Sequence, residues 1–184
     1  MVSHWQSSSS SGRPEIVILV APASSGKSTF CANLTTKEGS PEYGKYEIVN
    51  QDTLGSVEKC LHKAEETIVG QNKSVLVDNT NTTRNTRGKW IHLAQRINVN
   101  IRCIEFVFDP EVCKLLNVFR QLASTTEGKD RRHINKMAFN VMFKALREEP
   151  VNPMEGFSSV QRIPCVLQEP QTPAERCLWN LFIK

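Results

Sequence analysis

Short apolar runs, each followed by a polar segment, dominate the pattern along the chain. The first run, residues 15–21 (EIVILVA), is short, apolar and rich in β-branched residues. Such a run is typical of a strand that is covered on both faces of a parallel sheet. Similar runs predict further strands at residues 46–50, 74–78 and 101–108. Weaker patterns predict short strands near the C-terminus, at residues 160–164 and 177–183.

The segments between these strands have the spacing of amphipathic helices. From Leu54 to Ile68, apolar residues recur at 3-4-3-4 spacing, and Gly70 is a natural C-terminal stop. One-sided apolar patterns predict other helices at residues 28–34, 112–123 and 135–147, and a helix after the third strand that carries Trp90, Leu93, Ala94 and Ile97 on one face. Strands that alternate with helices in this way predict an α/β fold with a mainly parallel sheet.

Length, composition and charge fit one domain of this class. The chain has 184 residues, of which 39% are hydrophobic, and a formal net charge of only +4. This charge excludes a general nucleic-acid coating protein but allows a local basic patch. The Ser-rich N-terminus lacks the apolar core of a secretory signal. We therefore expect residues 1–13 to be a disordered tail and residues 14–184 to form the domain.

Membrane segments and cysteine motifs add little to this picture. No apolar run approaches the ~20 residues of a membrane-spanning helix, so no membrane partner is expected. None of the six cysteines belongs to a C-x-x-C pair, and most lie in apolar segments. The pattern predicts reduced, buried thiols in an intracellular protein rather than a zinc site. The cysteines are Cys31, Cys60, Cys103, Cys113, Cys165 and Cys177.

The strongest motif, APASSGKST at residues 21–29, follows the first strand and opens a helix. In this context, backbone N–H groups wrap a nucleotide phosphate at a helix N-terminus. Lys27 can neutralise β- and γ-phosphate oxygens, and the Ser28 hydroxyl can bind Mg²⁺. Ala21 stands where the pattern usually begins with glycine, which is tolerated if its φ stays negative. The predicted phosphate-binding residues are Ala23, Ser24, Ser25, Gly26, Lys27, Ser28 and Thr29.

Two aspartates follow the second and third strands, at the edge where open α/β sheets bind ligands. Asp52 can take the proton of a hydroxyl acceptor or can cap a helix, and its position favours neither role. Asp78 ends the third strand, where P-loop proteins place a carboxylate that helps to hold Mg²⁺, often through water. The turn at residues 79–81 can hold an acceptor phosphate on its free N–H groups.

Basic residues flank these motifs. Arg84, Arg87 and Lys89 lie in the first turns of the helix after residues 79–81 and would extend a positive surface, although an ordinary surface role is favoured for Arg84. Arg120 lies on the polar face of the helix at residues 112–123. It is the first choice for a lid arginine that stabilises charge on a transferring phosphoryl group. For the Arg131-Arg132 pair, a role in the lid and a place in a solvated or nucleic-acid-facing patch are equally favoured.

The motifs GKST (residues 26–29), QDTLGS (51–56) and VDNTN (77–81) together resemble the kinase domain of the polynucleotide kinase 3′-phosphatases. The likeness extends from Glu15 to about Leu167. It includes the segments FRQ (119–121), HINKMAFNVMFK (133–144) and EGFSSVQRIP (155–164). The resemblance implies a P-loop NTPase-type three-layer sandwich with a helical lid. It also implies a 5′-hydroxyl polynucleotide kinase that uses ATP and Mg²⁺.

The resemblance further implies roles for single residues. Asp52 would be the general base, with Lys27 and Arg120 as the other catalytic residues. Asp78 would also hold Mg²⁺ with Ser28. The implied substrate-binding residues are Gln51, Asp78, Thr80, Asn81, Arg87 and Lys89, of which Lys89 lies where the family tends to have a DNA-contacting arginine. The expected partner is a nucleic acid with a 5′-OH end, DNA rather than RNA, in nuclear end repair by a monomer.

Departures from the family pattern keep alternatives open. Gln51 replaces an arginine that usually precedes the catalytic aspartate, and Val118 replaces one in the lid helix. No D-x-D-G-T phosphatase motif is present, so we expect a kinase-only protein or an excised domain. A small-molecule kinase for a nucleoside or sugar is one alternative, which the basic cluster disfavours. A non-catalytic ATP- or nucleic-acid-binding module is another, which the retained Lys27, Asp52 and Asp78 disfavour.

Overall fold

The computed structural model describes residues 12–36, 38, 42–126, 134–164 and 176. Its sheet has five strands in the order β2-β3-β1-β4-β5, and each pairing is parallel. The strands are β1 (Glu15–Val20), β2 (Tyr46–Val49), β3 (Ser74–Val77), β4 (Asn100–Val107) and β5 (Ser159–Pro164). The predicted α/β class with a parallel sheet is therefore confirmed.

Helices connect the strands and cover both faces of the sheet. They are α1 (Lys27–Thr35), α2 (Gln51–Leu54), α3 (Val57–Glu65), α4 (Arg84–Arg96), α5 (Pro110–Thr126) and α6 (Lys136–Glu148). A π-helical turn, Glu66–Gly70, extends α3, and a 3₁₀ turn, Pro153–Glu155, precedes β5. The predicted helices are thus present, with bounds that shift by a few residues.

Strand β1 shows how the two faces are packed. Its residues Ile16 and Ile18 lie in one core cluster with side chains of α3 and α4. The alternate residues Val17 and Leu19 lie in a second cluster with side chains of α1. Successive side chains of a strand point to opposite faces of the sheet, so β1 is buried between two layers of helices. This arrangement is the three-layer sandwich that the resemblance implied.

The carboxyl ends of the central strands bring three polar loops together. In the register of the sheet, Val77 of β3 lies beside Ile18 of β1 and Val49 of β2. The backbone N–H of Asp78 donates to the Val49 carbonyl at 2.9 Å. Because β1 lies between β3 and β4 in the sheet, the loops after β1 and β3 leave from neighbouring strand ends. Ligand sites of open α/β sheets form at such an edge.

The segment at residues 54–68 differs from the single helix that its periodicity predicts. Gly55, with φ of 86°, ends α2 in the left-handed conformation, and Ser56 caps the start of α3. Glycine adopts this conformation at no steric cost, and a serine N-cap starts a new helix. The apolar spacing continues across the break, which is why the pattern alone does not reveal it. Gly70 ends the helical segment as predicted.

Further sequence-based expectations concern membrane helices, cysteines and the two ends of the chain. Within the described part of the chain, no helix is long and apolar enough to cross a membrane. Four cysteines are free and buried, as predicted, and burial raises the pKa of Cys31 and Cys103 above the ordinary thiol range. Residues 1–11 of the expected tail, Cys165, Cys177 and the predicted strand at residues 177–183 lie outside the described residues.

Candidate active site

The phosphate loop runs from the end of β1 to the start of α1. Gly26, with φ of 87°, and Ser24, with φ of 59°, both adopt the left-handed conformation. Ala21 is fully buried and is not among the residues of positive φ, so it fits the position that usually carries glycine. The Ser25 hydroxyl donates to the Pro22 carbonyl at 2.9 Å and closes the loop from inside. The loop therefore has the tight turn that brings backbone N–H groups towards a phosphate.

Lys27 lies under this loop with only 7% of its surface exposed. Its ammonium group donates to the carbonyls of Pro22, at 2.7 Å, and Ala21, at 3.3 Å. Burial lowers the pKa of Lys27 to about 8, while the negative charge of Asp78 acts in the opposite direction. Arg120 adds to the lowering, because a second positive charge disfavours the ammonium form. Asp78 and Arg120 therefore both act electrostatically on Lys27.

Helix α5 brings Arg120 to the phosphate loop. One guanidinium nitrogen, Nη1, donates to the Ser24 hydroxyl at 3.4 Å. One turn earlier, the buried Asn117 donates to the Ile134 carbonyl at 2.9 Å and ties α5 to the residues just before α6. No local signal in the sequence predicts this link. The structure thus brings Arg120, the predicted lid arginine, into contact with the phosphate loop, whereas Arg131-Arg132 lies outside the described residues.

Asp52 lies in the first turn of α2, and its side chain is exposed. The cap of this helix is Asn50, whose Oδ1 accepts a hydrogen bond from the Thr53 N–H at 2.8 Å. The helix-capping alternative for Asp52 is therefore wrong. Among the described residues, none forms a hydrogen bond or an ion pair with the Asp52 carboxylate. A carboxylate in this state can accept the proton of an incoming hydroxyl group.

The turn after β3 connects α2 with the phosphate loop. The Gln51 backbone N–H donates to Asn79 Oδ1 at 2.8 Å. The next carbonyl, of Thr80, accepts a hydrogen bond from the Ala21 N–H at 3.1 Å. These two bonds lead from the helix of Asp52 to the start of the phosphate loop. The chain thus holds its candidate base and its candidate nucleotide cradle at one edge of the sheet.

Asn81 has a structural contact that its predicted role did not include. Its side chain is 4% exposed, and its amide donates to the Leu19 carbonyl at 2.9 Å. Its backbone is left-handed, with φ of 47°, a conformation that asparagine tolerates better than most residues. The prediction that this side chain contacts the substrate is therefore corrected. The amide fixes the turn to the end of β1 instead.

The prediction that Arg87 binds substrate is wrong. Its side chain is completely buried, and each guanidinium nitrogen donates to another part of the chain. Nε and Nη2 bond the two carboxylate oxygens of Glu155, at 2.8 and 2.9 Å. The helical pattern placed Arg87 near the right turn, but the distant partner that buries it gives no local signal.

The remaining basic residues form a weaker positive surface than expected. Lys89 is partly exposed, and its ammonium group pairs with Glu58 of α3 at 3.1 Å. Arg84 is exposed, and its backbone N–H bonds the Glu149 carboxylate. Thr80 and Asp78 are half-buried, and Gln51 is exposed. Lys89, Thr80, Asp78 and Gln51 thus remain available as candidates for contact with an acceptor.

The oxygen ligands at this edge suit Mg²⁺. Ser28 is exposed at the N-terminus of α1, and the Asp78 carboxylate lies close enough to Lys27 to influence its pKa. Within the described residues, no group of three or more His, Cys, Asp or Glu side chains could form a metal cage. Mg²⁺ is typically held by one or two protein oxygens together with substrate phosphates and water. Ser28 and Asp78 fit that pattern.

The chain is similar to proteins of one family. A family profile described as AAA domain matches residues 16–144. A bifunctional polynucleotide phosphatase/kinase of Schizosaccharomyces pombe is 37% identical over 150 residues, which cover 82% of this chain and 33% of the relative. A putative bifunctional polynucleotide phosphatase/kinase of Acanthamoeba polyphaga mimivirus is 31% identical over 114 residues, 61% of this chain and 25% of the relative. These similarities confirm the resemblance that the motifs indicated.

The chain spans about a third of the first relative and a quarter of the second. Among solved structures, Kti12 of Chaetomium thermophilum in complex with ADP-AlF3 superposes with a TM-score of 0.61. The superposition covers 92% of this chain and all of the other, at 17% sequence identity. At this identity the likeness supports the P-loop fold alone.

Proposed function

The chain belongs to the AAA-domain family of P-loop proteins, and on that premise we propose that it is an ATP-dependent kinase for the 5′-hydroxyl of a polynucleotide end. The contacts that link α2 to the phosphate loop carry the proposal, because they bring Asp52 and Lys27 to one edge of the sheet. The two relatives with kinase in their names support the acceptor class.

The nucleotide half of the site is the phosphate loop with Lys27 and Arg120. Backbone N–H groups of residues 23–29 wrap the β-phosphate, and the N-terminus of α1 adds its positive dipole end. Lys27 donates to β- and γ-phosphate oxygens in place of its present bonds to the Pro22 and Ala21 carbonyls. Arg120 contacts Ser24 of the loop, and in this proposal its guanidinium group binds the γ-phosphate.

The proposed reaction is a direct transfer. Asp52 accepts the proton of the 5′-hydroxyl as its oxygen forms a bond to the γ-phosphorus of ATP. The bond between that phosphorus and the β–γ bridging oxygen breaks, and ADP leaves with the electron pair. Lys27 and Arg120 neutralise the charge on the phosphoryl and leaving-group oxygens. Asp52 then releases its proton to water, so the products are ADP and a 5′-phosphorylated end.

A magnesium ion would be held by Ser28 directly and by Asp78 either directly or through a water molecule. When bound, the ion would supply positive charge that offsets the negative charge of the triphosphate. The residues of this chain supply its oxygen ligands and, through Lys27, a second positive charge beside them. Asp78 is then shared between the metal side and the acceptor side of the site.

Asp78, Thr80, Lys89 and Gln51 form the proposed acceptor half. Asp78 directly precedes the turn that is bonded to the phosphate loop, Thr80 lies in this turn, and Lys89 lies on α4 beyond it. In this proposal the 5′ end reaches the Asp52 carboxylate across these residues. The motifs that resemble polynucleotide kinases support DNA ends, nuclear repair and a monomeric enzyme as the setting.

An assay with γ-labelled ATP against a panel of acceptors tests the proposal. We expect labelling of 5′-OH DNA oligonucleotides, weaker labelling of 5′-OH RNA and none of nucleosides. The same oligonucleotides with a 5′-phosphate are the matched control and should accept no label. The KM for the oligonucleotide should rise with salt, because phosphate contacts release counterions. Labelling of nucleosides but not of oligonucleotides would overturn the proposal.

One observation favours a second candidate, a kinase for a small alcohol such as a nucleoside or sugar. Arg87 is buried and Lys89 is paired with Glu58, so the acceptor half is less positive than the sequence predicts. A small acceptor needs no long basic channel. The nucleosides in the same assay distinguish the two candidates. An acceptor KM that does not change with salt concentration would support the second.

A further inference from the structure

A buried arginine on α4 is bonded to three separate segments of the chain. The guanidinium group of Arg87 grips Glu155 with two parallel hydrogen bonds, from Nε at 2.8 Å and from Nη2 at 2.9 Å. Arg87 has no exposed side-chain surface, and the Glu155 side chain is only 7% exposed. Burial raises the pKa of Glu155, but hydrogen bonds from Arg87 and Asn152 hold it below its usual range. The pair is therefore ionised.

The same guanidinium also donates to backbone carbonyls of two segments that are distant in the sequence. Nη1 bonds the carbonyls of Thr82, at 3.1 Å, and Asn81, at 3.4 Å. Nη2 bonds the carbonyl of Glu149, at the end of α6, at 2.9 Å. These contacts join the turn that follows Asp78 to the C-terminal end of α6.

The turn that carries Glu155 is shaped to fit against α4. Asn152 and Glu155 form a reciprocal capping box around the 3₁₀ turn, and Asn152 N–H bonds the same carboxylate oxygen that Nη2 reaches. Gly156 follows with φ of 120°, and a Cβ atom at this position would lie 3.0 Å from Ile91 of α4. The positive φ favours glycine there, and a Cβ atom would also require the Ile91 side chain to shift by a few tenths of an ångström.

Stability alone does not account for this arrangement. A buried ion pair can often be replaced by apolar side chains without loss of stability, and sometimes with a gain. Apolar side chains, however, cannot donate to the carbonyls of Asn81, Thr82 and Glu149. The specific contribution of Arg87 is therefore its set of fixed donors, which holds the acceptor turn in one place.

We propose that Arg87, held by Glu155, is a positioning residue that sets the acceptor turn of residues 79–82 relative to the phosphate loop. The other end of this turn is already fixed to the loop through Thr80 and through the Asn81 amide. Arg87 fixes the far end. This inference rests on the proposed function for the identity of its substrate, but the positioning itself does not depend on catalysis.

The test compares variants that separate stability from positioning. Arg87→Met leaves the Glu155 carboxylate buried and unpaired, so its Tm should fall by about 10 °C. Arg87→Met combined with Glu155→Met removes both charges and should recover most of that loss. Arg87→Lys keeps the charge but not the planar fork of donors. Arg96→Met, which removes an exposed ion pair between Arg96 on the same helix, α4, and Glu65 on α3, is the control.

We expect the double variant and Arg87→Lys to raise the KM for a 5′-OH oligonucleotide about tenfold, because a displaced acceptor turn loses binding contacts with the strand end. The KM for ATP should stay unchanged, and so should both constants in Arg96→Met. Amide hydrogen exchange should become faster at residues 79–82 in these variants but not at residues 22–29. A stable double variant with wild-type oligonucleotide KM and wild-type exchange at 79–82 would overturn the proposal.

Each further outcome is also decisive. If the double variant fails to fold, Arg87→Lys carries the same comparison, and a wild-type exchange pattern in it counts against positioning. If the unmodified protein labels no oligonucleotide, the proposed function fails. Hydrogen exchange at residues 79–82 then still decides whether Arg87 positions this turn.

Discussion

The nucleotide half and the acceptor half of the site are built in different ways. The phosphate loop contains its own closing bonds, since Ser25 and Lys27 both bond the carbonyl of Pro22. The acceptor turn is held by residues far along the chain. Arg87, which donates to the Asn81 and Thr82 carbonyls, is itself fixed by Glu155, 68 residues away.

This difference has a functional consequence. A loop that is fixed by local bonds keeps its shape when distant parts of the protein change, so nucleotide binding should be robust. A turn that is fixed by long-range bonds depends on the packing of α4, α6 and the 3₁₀ turn. Changes there should alter the use of the acceptor and leave ATP binding intact.

The largest expected effect comes from Asp52. Its replacement should lower the rate of transfer to the acceptor and leave ATP binding nearly unchanged. Replacing Asp52 with Asn keeps size and polarity but removes the general base, so kcat should fall by about 10²–10⁴-fold. ATP affinity should change less than about twofold, because the carboxylate has no bond to the phosphate loop among the described residues. Turnover of 5′-OH oligonucleotides and binding of a fluorescent ATP analogue measure the two effects.

Asn50→Ala is the matched control for Asp52. It removes the cap of the same helix but leaves the carboxylate, since Asn50 and not Asp52 bonds the Thr53 N–H. Its effect on kcat should be far smaller than that of Asp52→Asn. Equal losses in the two variants would mean that Asp52 acts through the helix rather than on the hydroxyl.

Arg120 reaches the nucleotide half from α5 and should have the next largest effect. Arg120→Lys keeps a positive charge but loses the planar fork that matches phosphoryl oxygens, so kcat should fall about 100-fold. The KM for ATP should change only a few-fold. Lys114→Met is the control, because Lys114 lies on the same helix and pairs with Glu111 instead. A wild-type kcat in Arg120→Lys would remove Arg120 from the reaction.

The pH dependence of ATP binding tests the nucleotide half alone. The pKa of Lys27 is lowered to about 8, mainly by burial, so the side chain is largely neutral above that pH. Bound phosphates favour the ammonium form and raise this pKa, so binding takes up a proton there. ATP affinity should therefore weaken as pH rises through about 8, by up to about tenfold per pH unit.

Calorimetry in buffers of different ionisation enthalpy measures this proton uptake directly. At pH 8.5 the unmodified protein should take up a proton when ATP binds, and Lys27→Met should not. Asp52→Asn should behave like the unmodified protein, because Asp52 belongs to the acceptor half. Proton uptake that persists in Lys27→Met would assign the titration to another group.

Sequence reasoning worked best where structure is local. The strand–loop–helix context of residues 15–35 predicted the phosphate loop, and Ala21 fits its glycine position because its φ is not positive. The alternation of apolar runs predicted the parallel sheet. Arg120 could be chosen because it lies on the polar face of an amphipathic helix. In each of these cases the deciding residues are neighbours along the chain or along one element.

The misassigned residues are those whose partners are distant. Arg87 and Asn81 both follow Asp78 closely, so their sequence positions suggested substrate contact. Their actual partners, Glu155 and the Leu19 carbonyl, lie 68 and 62 residues away. The break at Gly55 was missed for another reason, since the apolar spacing continues through it. A buried ion pair leaves no periodic signal, although an arginine on a helix face that is otherwise apolar would have been a hint.

The smallest expected effect concerns Glu58, which pairs with Lys89 at the edge of the acceptor half. Both side chains are solvent-exposed enough that the pair itself stabilises the fold little. Glu58 nevertheless competes with an acceptor phosphate for the only ammonium group that α4 offers, so Glu58→Gln should lower the oligonucleotide KM about two- to threefold. The slope of log KM against log salt should also steepen, by up to about 0.7 for one added phosphate contact on a single strand.

Glu65→Gln is a close control, because Glu65 pairs with Arg96 at the other end of the same two helices. If the two variants change KM equally, the effect is one of net charge; if neither changes it, the acceptor does not pass Lys89 and the acceptor half ends at Thr80.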